Sequence, residues 1–366
     1  MSKTDEKYWS EYTGLQHAKH RLLSKYLGGW YPILASANGR VIYIDCHAGR
    51  GRHTTGHEGS PILALQILLN HQSRNRILNG TDLHFVFFEN DDQNYEYLGD
   101  EITALGDIPK NVHIHRFESD YEAALCEIVD NLWQRGERLA PSFVFVDPYG
   151  FKLSMALLNS LLRFRGCELL INLMYRYINM ATTRPEHSSN MDALFGCHDW
   201  HELSSIKNPE DRQNEIISLF SHQLQAKFVT HMNMIGDTNG LKYVLLHASN
   251  HAKDRKLMKD SIWAVSPDGS FSAYQRANPD QLVVIEPKPN LGPLKDALWT
   301  VFAGKQLRME KIYEWLLGEL YLEKHVHEVL REYRKQEFIK CSDYGTRFAF
   351  SNNPLVSFPS ERPAGS

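Results

Sequence analysis

Apolar runs of strand length recur through the first half of the chain, and each closes on a polar or acidic residue. RVIYID ends at Asp45, LHFVFFE at Glu89, NVHIH at His115 and SFVFVD at Asp147, while ELLINL runs across Asn172. Between them, SPILALQILLN and DYEAALCEIVDNLWQR place apolar residues at helical spacing. Near-continuous apolar strands alternating with helices predict an α/β fold over residues 1–285, a parallel sheet covered on both faces with ligands received at the carboxyl ends of its strands. That arrangement puts Asp45, Glu89 and Asp147 on one rim.

Residues 176–215 are polar and rich in His, Asn, Ser and Arg, which predicts a loose insertion beside the site. The pattern resumes with a helix around EIISLFSHQLQAKF, a strand KYVLLHAS and a helix DRKLMKDSIWAV. Proline and glycine cluster in EPKPNLGPL and mark a linker at 286–293. Beyond it, LKDALWTVF, RMEKIYEWLLGE and EKHVHEVLREYRKQ read as amphipathic helices, and FIKCSDYGTRFAFSN reads as two short strands about a turn holding Asp343 and Gly345. Three helices and a hairpin is the order of a winged helix, over 294–352, leaving 353–366 as a disordered tail.

In that architecture the third helix supplies groove contacts. Here it offers Lys324, His325, Arg331, Arg334 and Lys335, with Val326, Val329, Leu330 and Tyr333 as its buried stripe, and the hairpin adds Lys340 and Arg347. Its acids Glu323, Glu328, Glu332 and Glu337 would repel phosphate unless turned away. Docking of a protein therefore competes with nucleic-acid binding for this surface.

Composition narrows the classes. With 366 residues, 42% hydrophobic and 23% charged, the chain can build one large core and a smaller one. A net charge of −4 opposes non-specific coating of nucleic acid but permits a local basic groove. No apolar stretch approaches the ~20 residues that cross a bilayer, and MSKTDEKYWSEYTG lacks the order of a signal peptide. The expected setting is cytoplasmic, without membrane association. Five cysteines stand singly, which encodes neither a disulfide framework nor a thiolate zinc cage. The stretch CHDWH groups Cys197, His198 and His201, and the glycine-rich loop holds His47, His53 and His57; neither has the pattern of a metal cage, and none is expected.

The chemistry gathers at the strand ends. In IDCHAGRGRH, Gly49 and Gly51 let backbone approach a ligand beside the Asp45 carboxylate. The third glycine of a dinucleotide fingerprint is missing, since Thr54 stands there, and no Walker lysine follows. Glu89 lies where an acid can accept from ribose hydroxyls. FVFVDPYG then delivers Asp147, Pro148 and Tyr149: an acceptor carboxylate, a fixed carbonyl and a ring for stacking, the parts that orient an exocyclic base amine. DPYG is also a good β-turn.

KHRLLSKYLGGWYPIL, YIDCHAGRGRH, GSPILAL, FFEND, DPYG and LMKDSIW together resemble the three-Cys-motif partner protein family, across most of residues 15–265. That family resembles class I S-adenosylmethionine-dependent methyltransferases, with a Rossmann-like sheet, and is associated with a separate three-Cys, radical-type partner. The first blocks are also similar to large-subunit ribosomal RNA adenine methyltransferases. The resemblance implies that Lys19 and His20 lie over the cofactor or target, that Asp45, His47, Gly49 and Gly51 line the methionine end, and that Ser60 contacts the cofactor. It further implies that Glu89 takes the ribose and that Asp147, Pro148 and Tyr149 hold the base. DPYG departs from the DPPY of the adenine enzymes and is similar to the motif of tRNA guanine-amine methyltransferases. The expected activity is S-adenosylmethionine-dependent methylation of an exocyclic amine in DNA or RNA, adenine favoured. The alternative is a methyltransferase-like nucleic-acid binding module serving the radical-type partner.

Overall fold

The computed structural model describes residues 8–276, 288–343, 350 and 352–363. These fall into two compact units, the second comprising Pro267–Ser270 and the chain from Val284 onward.

The first unit is built on an eight-stranded sheet. In chain order its strands are β1 (Arg40–Asp45), β2 (Asp82–Glu89), β3 (Val112–Glu118), β4 (Ser142–Val146), β5 (Cys167–Leu173), β6 (Phe228–Ile235), β7 (Leu241–Ser249) and β8 (Ser272–Tyr274). Across the sheet they stand in the order β3-β2-β1-β4-β5-β7-β6-β8. The first five are parallel; β7 runs antiparallel to both β5 and β6, and β8 is parallel to β6. Every residue of β4 and β5 is buried, which explains their unbroken apolar runs, whereas the edge strand β3 is only partly covered and carries His113 and His115 on one face. The strand order reverses between β1 and β4, so the crevice of a doubly wound sheet opens between Asp45 and Asp147.

Helix α1 (Gly14–Ala35) precedes the sheet and brings Lys19 and His20 to it. A capping box starts it: the Gln16 amide donates to Thr13 Oγ1 (3.3 Å) and the Thr13 amide to Gln16 Oε1 (2.7 Å). Its apolar face is locked against α9 (Ala252–Val265), where Gly29 leaves room that a Cβ would take from Leu257 Cδ1, at 2.5 Å. The other longer helices are α2 (Ser60–Leu69), α3 (Asp92–Thr103), α4 (Tyr121–Gln134), α5 (Met155–Leu162), α6 (Tyr175–Ala181), α7 (Ser188–Phe195) and α8 (Pro209–Gln223), with a single turn at Arg74–Ile77.

Residues 176–215, expected to be loose, are mostly helical. Ile178, Met191, Leu194, Phe195, Trp200 and Leu203 are all buried in the main core, so widely spaced apolar anchors hold a polar-looking segment in place. Strands β6 and β8 escape the sequence pattern. FVTHMNMI alternates buried and half-buried positions, a period masked by its two methionines and central histidine.

The second unit runs α10 (Gly292–Phe302), β9 (Gln306–Arg308), α11 (Met309–Leu316), α12 (Glu323–Lys335), β10 (Lys340–Ser342) and β11 (Leu355–Ser357), with the strands ordered β10-β11-β9 in an antiparallel sheet. The three helices match the predicted ones, and Val326, Val329, Leu330 and Tyr333 are fully buried against Trp299, Ile312 and Val356. Two expectations change. Residues 355–357, read as disordered tail, supply the central strand of this sheet, because Val356 completes the small core. His325, expected on the surface, is buried and accepts the Leu322 amide at Nδ1 (3.2 Å), closing the start of α12. Lys324, Arg331, Arg334, Lys335 and Lys340 are at least partly exposed. Arg347 and Gly345 lie outside the described residues. Among the described residues no helix is long and apolar enough to cross a membrane.

Candidate active site at the carboxyl rim of the sheet

A cavity of about 610 Å³ opens at the switch point, walled by the start of α1, the loop after β1 and the ends of β2, β4 and β5. Of the residues expected there, Lys19, His20, His47, Gly49, Ser60, Glu89, Asp147, Pro148 and Tyr149 line it. Asp45 and Gly51 do not: both sit beneath the loop and shape it. The fully buried Asp45 carboxylate accepts from the His47 amide (3.2 Å) and the Tyr43 hydroxyl (3.3 Å), while Gly51 accepts the Gly59 amide (2.7 Å) and so folds the loop back to α2. Burial pushes Asp45 up to about 7 despite its donors, which include Ser60.

Gly49 is in the left-handed region, φ +64°, and a Cβ there would meet the Trp9 ring at 2.5 Å. Glycine is therefore required twice over, by conformation and by contact. The Gly49 amide donates to Glu89 Oε2 (2.8 Å), and the amides of Asn90 (3.0 Å) and Asp91 (2.9 Å) donate to Oε1. Burial raises the Glu89 pKa above its ordinary value, while these three amides oppose the shift.

The floor on the β4 side is a buried ion pair. Lys19 Nζ donates to Asp147 Oδ2, the two side chains being 4% and 16% exposed, and Asn172 Nδ2 donates to Oδ1 at 2.5 Å. Burial alone would push Asp147 up, but the Lys19 charge and the two hydrogen bonds outweigh it and hold the carboxyl below its ordinary value. Burial likewise opposes the charge on Lys19, and Asp147 more than offsets it, raising the amine. Asp147 is thus an acceptor fixed in its anionic form.

Imidazoles surround this pair in neutral form. Burial, reinforced by Lys19, lowers His20 well below its ordinary pKa and His53 to about 4; burial also lowers His47 to about 4. His20 Nδ1 lies 3.0 Å from the Tyr12 hydroxyl, and His47 packs edge-on to Tyr121 at 4.8 Å. His57 is stacked on Tyr12 instead, 3.9 Å between centroids, so the loop histidines are not gathered about one point.

The outer half of the cavity was only partly foreseen. Tyr149 is 64% exposed and stands 6.4 Å from Tyr177, with Arg176 and Lys242 also in the lining. Asn172 stands one residue before the end of β5, as Asp147 stands one residue after β4, and a polar residue near the end of ELLINL was visible in the sequence. Lys242 and Tyr243 were hidden for a physical reason: β7 is antiparallel to β5, which brings the beginning of KYVLLHAS, not its end, to the rim.

Farther out, CHDWH does form a cluster, with Asp192 in place of Cys197. Ligand atoms of Asp192, His198 and His201 lie within 4.8 Å of one another. Asp192 Oδ1 accepts from Trp200 Nε1 (2.8 Å) and pairs with His198 Nδ1 (2.9 Å), interactions that account for the grouping by themselves.

No family model matches the chain, and no curated protein matches it in sequence. Among solved structures, a Legionella pneumophila protein of family DUF519 is similar at 14% identity and a TM-score of 0.39, over 69% of this chain and 92% of that one. The methyltransferase domain of bacterial CtHen1 gives 13% identity and a TM-score of 0.30 over 62% and 99% of the two chains. The SAH-bound methyltransferase PaMTH1 of Podospora anserina gives 10% and 0.28, over 61% and 78%. At these values the likenesses carry no weight for chemistry, which rests on the sheet order and the rim residues.

Proposed function

We propose that the chain is an S-adenosylmethionine-dependent methyltransferase acting on an exocyclic amine of a nucleic-acid base, adenine favoured. The observation that carries this reading is the position of Asp147: an anionic acceptor fixed by Lys19 and Asn172, between a glycine-loop half and an aromatic, cationic half of one cavity. The residues present suit the cofactor. Glu89 offers a carboxylate for ribose hydroxyls, Gly49 lets backbone approach, and His47 Nδ1 is buried without a hydrogen-bond partner in the structure. When bound, the cofactor supplies an electrophilic methyl group. Lys19 keeps Asp147 ionised so that its remaining lone pairs accept a hydrogen from the amine and aim the nitrogen. An aromatic amine loses its proton after attack, so no strong base is required; Tyr149 and Tyr177 offer rings for stacking.

The test is incubation of the protein with labelled S-adenosylmethionine and, separately, tRNA, ribosomal RNA and DNA, followed by nucleoside mass spectrometry. Label in methyladenosine or methylguanosine supports the reading. Cofactor binding without label in any nucleoside favours the alternative, a binding module for a radical-type partner, which the double engagement of Asp147 also suits.

The second unit fits a winged helix in its element order, with Lys324, Arg331 and Lys335 at helical spacing on the exposed face of α12. We assign that face to nucleic acid. Removal of the chain beyond Pro289 should lower nucleic-acid affinity and flatten its salt slope; an unchanged slope would turn the search to a protein partner.

A further inference from the structure

At the opposite end of the sheet, the amino ends of β1, β4 and β5 open into a second cavity of about 1250 Å³. Arg40, Arg138, Arg163, Arg165 and Lys253 line it, and all five are exposed. Among the described residues none of them forms an ion pair. The carboxylates in the same wall offset only part of this charge. Glu168 is buried and already accepts from the Tyr26 hydroxyl, Trp30 Nε1 and His247 Nε2 (2.8 Å for the last). Burial and the neighbouring Glu168 push Asp254 up to about 8, and Glu137 is the remaining acid. The lining also includes Trp133, 60% exposed, with the Arg163 guanidinium over its ring at 5.7 Å.

Guanidinium groups beside a largely exposed indole, in a chain whose net charge is −4, concentrate positive potential where an aromatic ring also reaches solvent. A groove of cations with a ring for stacking is how single strands are held without sequence preference. We propose that this cavity is a second binding site for single-stranded nucleic acid, its phosphates held by the arginines and Lys253 and a base stacked on Trp133. The inference rests on the nucleic-acid reading of the first site and extends it, since a strand engaged at one end of the sheet would be gripped at the other.

The test uses the full chain and a fluorescent single-stranded oligouridylate, with affinity measured across a salt series. The double variant Arg138→Glu/Arg165→Glu is suitable because both positions lie outside helices and strands. It should bind at least tenfold more weakly, with the salt slope reduced by about 0.7 for each phosphate no longer neutralised, while S-adenosylmethionine affinity and thermal melting stay as in the parent. Trp133→Ala should weaken the oligonucleotide but not polyglutamate. Parental affinity and slope in the double variant would overturn the proposal, as would polyglutamate or inorganic phosphate competing as well as the oligonucleotide. Absence of methyl transfer, with the double variant still losing the oligonucleotide, would sink the methyltransferase reading and leave this site standing.

Discussion

Replacing Lys19 by methionine removes one partner of the buried pair while keeping the length of the side chain. Lys19 and Asp147 are 4% and 16% exposed, so the carboxylate left behind has only the limited water access of its cavity face. Breaking such a pair costs about 3–5 kcal/mol. In a unit of this size each kcal/mol lowers the melting temperature by about 2–4 °C, so Lys19→Met should melt roughly 6–20 °C below the parent. Without the lysine, burial weighs more heavily and raises the Asp147 carboxyl from where Lys19 held it, so that a larger share is protonated and lost as an acceptor. Methyl transfer should then fall by about 100-fold or more and recover part of the way as pH rises, whereas the parent shows no such rise. Differential scanning calorimetry and single-turnover rates between pH 6 and pH 9 read both effects. The double variant Lys19→Met/Asp147→Asn should regain most of the stability, because both charges are gone, but none of the activity. If Lys19→Met melts with the parent, or if the double variant is no more stable than the single, the pair is not the buried, mutually dependent unit described above.

Glu89→Ala should weaken S-adenosylmethionine by roughly 1.5–3 kcal/mol, the worth of a charge-assisted hydrogen bond; calorimetric titration giving parental affinity would remove Glu89 from the ribose site. Gly49→Ala should cost about 1–3 kcal/mol through overpacking against Trp9, on top of the conformational penalty at φ +64°; an unchanged chemical-denaturation midpoint would contradict the contact. The buried histidines set an acid limit. His20, His47 and His53 have folded pKa values below their ordinary 6.5, so the unfolded chain binds more protons and stability falls from pH 6.5 down to about 4. Asp45, raised to about 7, works the other way, with its contribution present at acid pH and lost as pH rises through 7, as do Asp254, raised to about 8, and Glu89; His84, His231 and His327 are lowered as well, so the imidazoles still outnumber these carboxyls. A melting temperature that is flat between pH 7 and pH 4.5 would refute this balance.

Much of the rim was legible because a parallel sheet converts sequence order into position: each apolar run had to end at the same edge, so Asp45, Glu89 and Asp147 were placed together by pattern alone. Lys19 and His20 came only from resemblance, since nothing local marks a lysine on an amphipathic helix as the counter-ion of a residue far along the chain. Asp45 was placed correctly on the rim but assigned the wrong side of the loop, because a strand pattern cannot say whether a terminal acid faces ligand or packs beneath it. The antiparallel sense of β7 was illegible for a related reason: direction within a sheet is set by connections and partner strands, not by the composition of the strand itself.

The placement of β1 at the switch point bears on how the chain is made. Tyr43 of β1 stands opposite Phe85 of β2 and Phe143 of β4, and Lys19 meets a carboxylate 128 positions later. During synthesis the first partner of β1 arrives early and the second much later, so one apolar edge of RVIYID stays open while α3, β3 and α4 emerge. Over the same interval Lys19 has no counter-charge and its helix has no α9 to pack against. The cavity is therefore among the last features to assemble, and a nascent or truncated chain lacking β4 would be prone to edge-to-edge association before it could hold any ligand.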